Sequence, residues 1–228
     1  MRMMPAASCV AVVAVVLSFG LLGCSSKPGS NPPKTSAGPT RAAAKLTPRT
    51  GSAPGPHPTI ATYIQDNGIT ETPVHRGDPG APTINLALPP GWADAGQDTP
   101  DWAYDAIVFD GPQAQDYSSS IVAVVSKLTG NVDPQQIIDR APGELENLND
   151  YQPTTPGSTA MLGGFPAYRL GGTWVQDGRT KVVAQQTVVI PGNGGVYVLQ
   201  LDADGLQNQR DVVSAATGIV DQQTTIKT

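Results

Sequence analysis

Cysteine and histidine are almost absent from this chain. Its 228 residues include two of each. Cys9 lies within an N-terminal apolar run and Cys24 closes it, so nothing beyond residue 24 carries a thiol. That excludes a disulfide, a thiol nucleophile and a cysteine-ligated zinc site from the rest of the chain. The two histidines, His57 and His75, have no third ligand to join them, and no Gly-x-Ser-x-Gly elbow supplies an activated serine. Acidic residues are missing from the first 58 positions and basic ones are sparse in the remainder. Long apolar runs are missing too. The stretch from Ala6 to Leu22 holds about 15 apolar residues, short of the ~20 that span a bilayer.

What is present at the N-terminus fits export. Arg2 precedes the apolar run, and the run ends Leu21-Leu22-Gly23-Cys24-Ser25-Ser26. This is the pattern of a lipoprotein signal, residues 1–23, cleaved after a small residue so that Cys24 becomes the first residue of the mature protein. The expectation is a diacylglyceryl group and an acyl chain on Cys24, two or three chains where one alone anchors marginally. No other cofactor is expected, and no metal.

Residues 24–58 are expected to be a disordered linker. Eight prolines fall between Ser25 and Pro58, among Gly, Ser, Thr and Ala, a mixture unable to bury a core. As a coil the stretch spans about 30–35 Å, and as polyproline II about 100 Å. It carries five basic residues and no acidic one, whereas Thr59 onward holds eight basic and 19 acidic residues. A basic stalk is drawn to anionic lipid and an acidic body is held off it. Nucleic acid is excluded as a partner on the same sign argument.

Residues 59–228 have the length of one domain with a sizeable core. Ile60, Tyr63 and Ile64 at helical spacing, followed by Asn67-Gly68, predict a short helix from Pro58 to Asp66. Strands are expected over 72–76, 84–88, 102–110 and 119–128, each from apolar alternation or a β-branched run. Asp133-Pro134 opens a helix that Pro142-Gly143 kinks or splits. Strands over 158–162, 167–176, 179–190 and 195–202 follow, with Asp177-Gly178 as a hairpin turn and Asn193-Gly194-Gly195 as a slightly longer one. The last helix is placed at 206–223, with Leu206, Val212, Val213, Ala216, Ile219 and Val220 as its apolar stripe and Asp204 as its cap. The order gives an α+β fold, an α/β/α sandwich around an antiparallel sheet.

Several of these segments are familiar together. Leu88-Pro89-Pro90-Gly91-Trp92, Gly164-Phe165-Pro166-Ala167-Tyr168-Arg169-Leu170-Gly171-Gly172, Trp174 and the run from Tyr197 to Ala203 resemble the LpqN/LpqT family of mycobacterial cell-envelope lipoproteins. That resemblance implies a PsbP-like fold and passes on no catalytic residue.

The candidate binding residues are Trp92, Asp98, Asp101, Trp102 and Tyr104, with Trp174 nearer the first hairpin. Indole faces suit sugar rings and acyl chains, and carboxylates accept from sugar hydroxyls. The resulting expectation is a non-enzymatic, membrane-anchored lipoprotein. Its acidic domain binds an envelope component such as a mycolate- or trehalose-type glycolipid, or a membrane lipid-export protein. Two alternatives are an exported module that meets host proteins when shed, and a hydrolase using paired loop carboxylates such as Asp98 and Asp101.

Overall fold

The computed structural model describes residues 55–228. The expected signal peptide, Cys24 and the linker up to residue 54 lie outside the described residues. Helix α1 (Ile60–Asp66) starts at a Thr59–Thr62 capping box in which each side chain takes the other's backbone N–H. The chain is already held two residues earlier. His57 exchanges hydrogen bonds with the Asn147 amide and lies 3.1 Å from the Glu146 carboxylate. The described residues therefore include the last four, 55–58, of the stretch that composition assigns to the linker.

The sheet follows. β1 (Thr70–Val74), β3 (Trp92–Asp94), β4 (Asp105–Phe109) and β5 (Ser120–Thr129) come first, then β6 (Gln152–Leu162), β7 (Phe165–Gln176), β8 (Arg179–Gly192) and β9 (Gly195–Leu206). The spatial order is β3-β4-β5-β9-β8-β7-β6, with β1 beside β4 along one edge of β5, and every pairing is antiparallel. Two-residue turns join the last four strands. Asp177-Gly178 has φ of 51° and 71°, the left-handed pair that a tight hairpin matching strand twist requires. Asn193-Gly194 is equally short, because Gly192 pairs directly with Gly195.

Helix α4 (Arg210–Gln223) covers one face of β8 and β9 with Val213, Ala216 and Val220. Helix α2 (Pro134–Arg140) packs on the other face with α1: Ile60, Tyr63, Ile137 and Ile138 cover Leu128, Val189 and Val198. The chain breaks at Ala141-Pro142 and resumes as α3 (Gly143–Glu146), whose Leu145 joins Leu170, Trp174 and Val183 on that same face. The α/β/α sandwich is as expected.

Four local expectations are corrected. The segment 84–88 yields only β2 (Thr83–Asn85), which leaves the main sheet to pair with β10 (Thr225–Lys227), the final strand. Strand β3, three residues paired with β4, has no counterpart among the expected elements. β6 starts at Gln152, not Ser158, as an exposed edge strand without charge, interrupted by Pro153, Pro156 and two register shifts. Asp204 caps no helix: β9 runs through it to Leu206, and α4 begins only at Arg210. A carboxylate is tolerated in mid-strand because Lys181 on β8 neutralises it.

Candidate functional site

Strand alternation decides which side chains meet. Directly paired residues share a face of the sheet, and neighbours in sequence take opposite faces. On the α4 face, one row across the strands is Gly171 (β7), Ala184 (β8), Ala203 (β9) and Ile121 (β5). Three of these four are small, so the sheet is hollow there. The next row is Arg169, Gln186, Leu201 and Ala123.

α4 bridges the hollow without filling it. Arg210, Ser214, Thr217, Gly218 and Asp221 follow at helical intervals and turn one side of the helix toward β6 and β7. A Cβ built on Gly218 would meet nothing within 4 Å. The result is a groove of about 570 Å³, floored by Ala184, Gln186, Leu201, Ala203 and Val182. That is within the size range of small-molecule sites.

The rim is polar. Thr154, Thr155 and Ser158 from β6 face Ser214 and Thr217 from α4. Arg169 Nη1 bonds Asp221 Oδ2 at 2.9 Å across the opening, and the exposed Arg210 lies at the N-terminal end of the helical wall. Burial pushes the Asp221 carboxyl above its ordinary pKa, against the opposing hydrogen bond and charge of Arg169. In the floor, Gln186 is 5% exposed, and neither its Oε1 nor its Nε2 has a partner among the described residues.

The residues singled out from sequence lie elsewhere and do not converge. Trp92 is 7% exposed and tilts against Phe109 at 5.9 Å in the core beneath α4. Tyr104 shares that core; its hydroxyl accepts from Ile84 N–H and donates to the Pro82 carbonyl, with Arg76 over its ring. Trp102 packs with Ala106, Val108, Val122 and Val124 on the opposite face. Asp98 sits in an exposed turn, and Asp101 is exposed, its backbone carbonyl 2.9 Å from His75 Nε2. Trp174 is buried against α3 and stands over Lys181. None of the six lines the groove. What sequence reasoning missed was Gln186, a polar residue inside the apolar run 182–190, and Gly218 within a helix.

The family model described as "Probable lipoprotein LpqN" matches residues 56–227. The chain belongs to the LpqN lipoprotein family. Lipoprotein LpqN of Mycobacterium tuberculosis is 48% identical over 174 residues, 76% of each chain. The crystal structure of LpqN, titled as involved in cell envelope biogenesis of that organism, superposes with a TM-score of 0.72 at 47% identity. It covers 76% of this chain and all of that one. The proline-rich 28 kDa antigen homolog of Mycobacterium leprae is 26% identical over 137 residues, 60% of this chain and 49% of its own. Family membership makes this a mycobacterial-type cell-envelope lipoprotein. The matched region contains every residue of the groove.

Proposed function

We propose that this lipoprotein is a non-enzymatic carrier that holds one amphiphile of the envelope in the groove between α4 and the sheet. One observation carries the reading: an apolar trough closed over by a helix and rimmed by five hydroxyl side chains and an Arg–Asp pair. The floor suits an acyl chain. The hydroxyls and the Arg169–Asp221 pair offer donors and acceptors in the mixture that sugar hydroxyls require. A trehalose-type glycolipid combines both chemistries. Lipid on Cys24 holds the domain at the outer face of the cytoplasmic membrane, and the linker gives it reach to receive cargo from, or deliver it to, a membrane lipid-export protein.

The test is calorimetric titration of the full chain, bearing Cys24→Ala, with alkyl glucosides of increasing chain length. Affinity rises by about 0.8 kcal/mol per methylene buried until the groove is full. Gly218→Phe plugs the open space beside α4 and abolishes the rise. Absence of binding, or affinity independent of chain length, would refute the proposal. In cells, removing the domain while keeping the lipid anchor alters the envelope lipid profile; an unchanged profile counts against it.

A further inference from the structure

Gln186 is the residue in the groove that a plain acyl chain does not explain. Buried side-chain amides in folded proteins almost always find partners, since each brings two donors and an oxygen acceptor. Among the described residues, Gln186 alone has both ends of a buried amide without one. Its sequence neighbour Gln185 points to the other face, where its Nε2 donates to Glu144 and to Asp202 at 2.9 and 3.0 Å. Gln186 has Leu201 as its cross-strand neighbour on one side and small or apolar side chains around it in the floor. Leucine or methionine would fill the same space with no polar group to satisfy.

The position of the amide is equally specific. Gln186 pairs directly with Arg169, whose guanidinium forms the rim with Asp221. Strands are about 4.8 Å apart, so the backbone of Gln186 lies one strand spacing inward from that of Arg169 at the rim. A chain entering past Arg169 passes the amide after a few carbon atoms.

From this we infer that the groove selects amphiphiles whose acyl chain carries a hydroxyl a few carbons from the head group, and that Gln186 is the residue that reads it. A hydroxyl both donates and accepts, so one group engages the amide oxygen or nitrogen. A bare methylene leaves both unpartnered, which is how a buried polar group discriminates against an analogue lacking its partner. The inference rests on the amphiphile reading above.

The test compares the glucose esters of 3-hydroxyhexadecanoic, 12-hydroxyhexadecanoic and unsubstituted hexadecanoic acid, each titrated into the full chain. The wild-type protein favours the 3-hydroxy ester over both others by about tenfold or more. Gln186→Leu, checked by its melting curve, erases the preference by tightening binding of the unsubstituted ester and weakening that of the 3-hydroxy ester. Gln186→Met behaves alike and guards against a folding defect in either variant. Equal wild-type affinity for all three esters, or a preference that survives in both variants, overturns the role of Gln186 and leaves the amphiphile reading standing. Binding of none of them overturns both.

Discussion

The ammonium of Lys181 lies 2.5 Å from the carboxylate of Asp204, inside the layer beneath α3 and between the rings of Tyr117 and Trp174. Both charges are largely withdrawn from water; their side chains are 9% and 16% exposed. The ammonium also donates to Tyr117 Oη and Gln176 Oε1, so its three protons are matched. A pair so placed destabilises the fold when one member is lost, because the survivor stays buried and uncompensated. Asp204→Ala is expected to cost about 3 kcal/mol in urea denaturation, and Lys181→Met a comparable amount. The double variant Lys181→Met/Asp204→Ala should cost less than the sum. Strict additivity would show that the two charges do not depend on each other.

A second prediction concerns pH. Asp221 and Asp105 both have carboxyls raised above their ordinary range, chiefly by burial, with Arg169 and Arg76 respectively pulling the other way. An acid whose folded pKa exceeds its unfolded one holds its proton more tightly in the native state. Its contribution favours folding at low pH and is lost as pH rises from about 3.9 through the raised value. Asp221→Asn should therefore flatten part of the decline in stability above about pH 4. It should not destabilise the protein at neutral pH, since the ion pair it breaks is half in solvent. Chemical denaturation across pH 3.5–7 reads the slope. An unchanged slope would assign the decline to other groups.

Gly218 gives a prediction about the helix itself. Glycine inside a helix costs about 0.5–1 kcal/mol relative to alanine, and here a methyl group meets nothing. Gly218→Ala should raise stability by about that amount, seen as a higher urea midpoint with an unchanged m-value. Its effect on alkyl glucoside affinity should be far smaller than that of Gly218→Phe.

Tyr104 offers the converse case, a residue chosen from sequence for binding that the fold uses for itself. Tyr104→Phe leaves the Ile84 N–H and the Pro82 carbonyl without their hydroxyl partner, at an expected cost of about 1–3 kcal/mol. Ligand affinity should be unchanged in the same variant. A loss of affinity without loss of stability would return Tyr104 to the candidate binding residues.

What was legible in the sequence follows from how each element is buried. β5, β7, β8 and β9 are long and alternate or run apolar, so their periodicity declares them, and the Asp177-Gly178 turn fixes one register. β3 is three residues, too short for a period, and exists only because β4 pairs with it; the alternation over 84–88 marks a strand, but only Thr83–Asn85 finds a partner, and that partner is β10. The first half of β6 has one face free and no apolar side chains to alternate, so it leaves no trace. The groove is harder still. Gly171, Ala184 and Ala203 become a hollow only once three strands are aligned, and no stretch of sequence contains that alignment. Trp92 and Trp102 show the reverse error: close in sequence, they are sent to opposite faces by the strand and turn between them.

The pairing of β10 with β2 has a consequence for the groove. Helix α4 leaves β9 through a single 3-10 turn and is fastened again at its far end, where Ile226 enters the core beside Ile84. It is thus a beam fixed at both ends, not a cantilever. The separation of helix and sheet is set when the chain folds, and a ligand does not have to pry the two apart. The entropic cost of shaping the slot is met before any cargo arrives, so affinity should depend on fit and hardly at all on opening. A chain cut after Gln223 would keep every residue of the groove and lose its gauge.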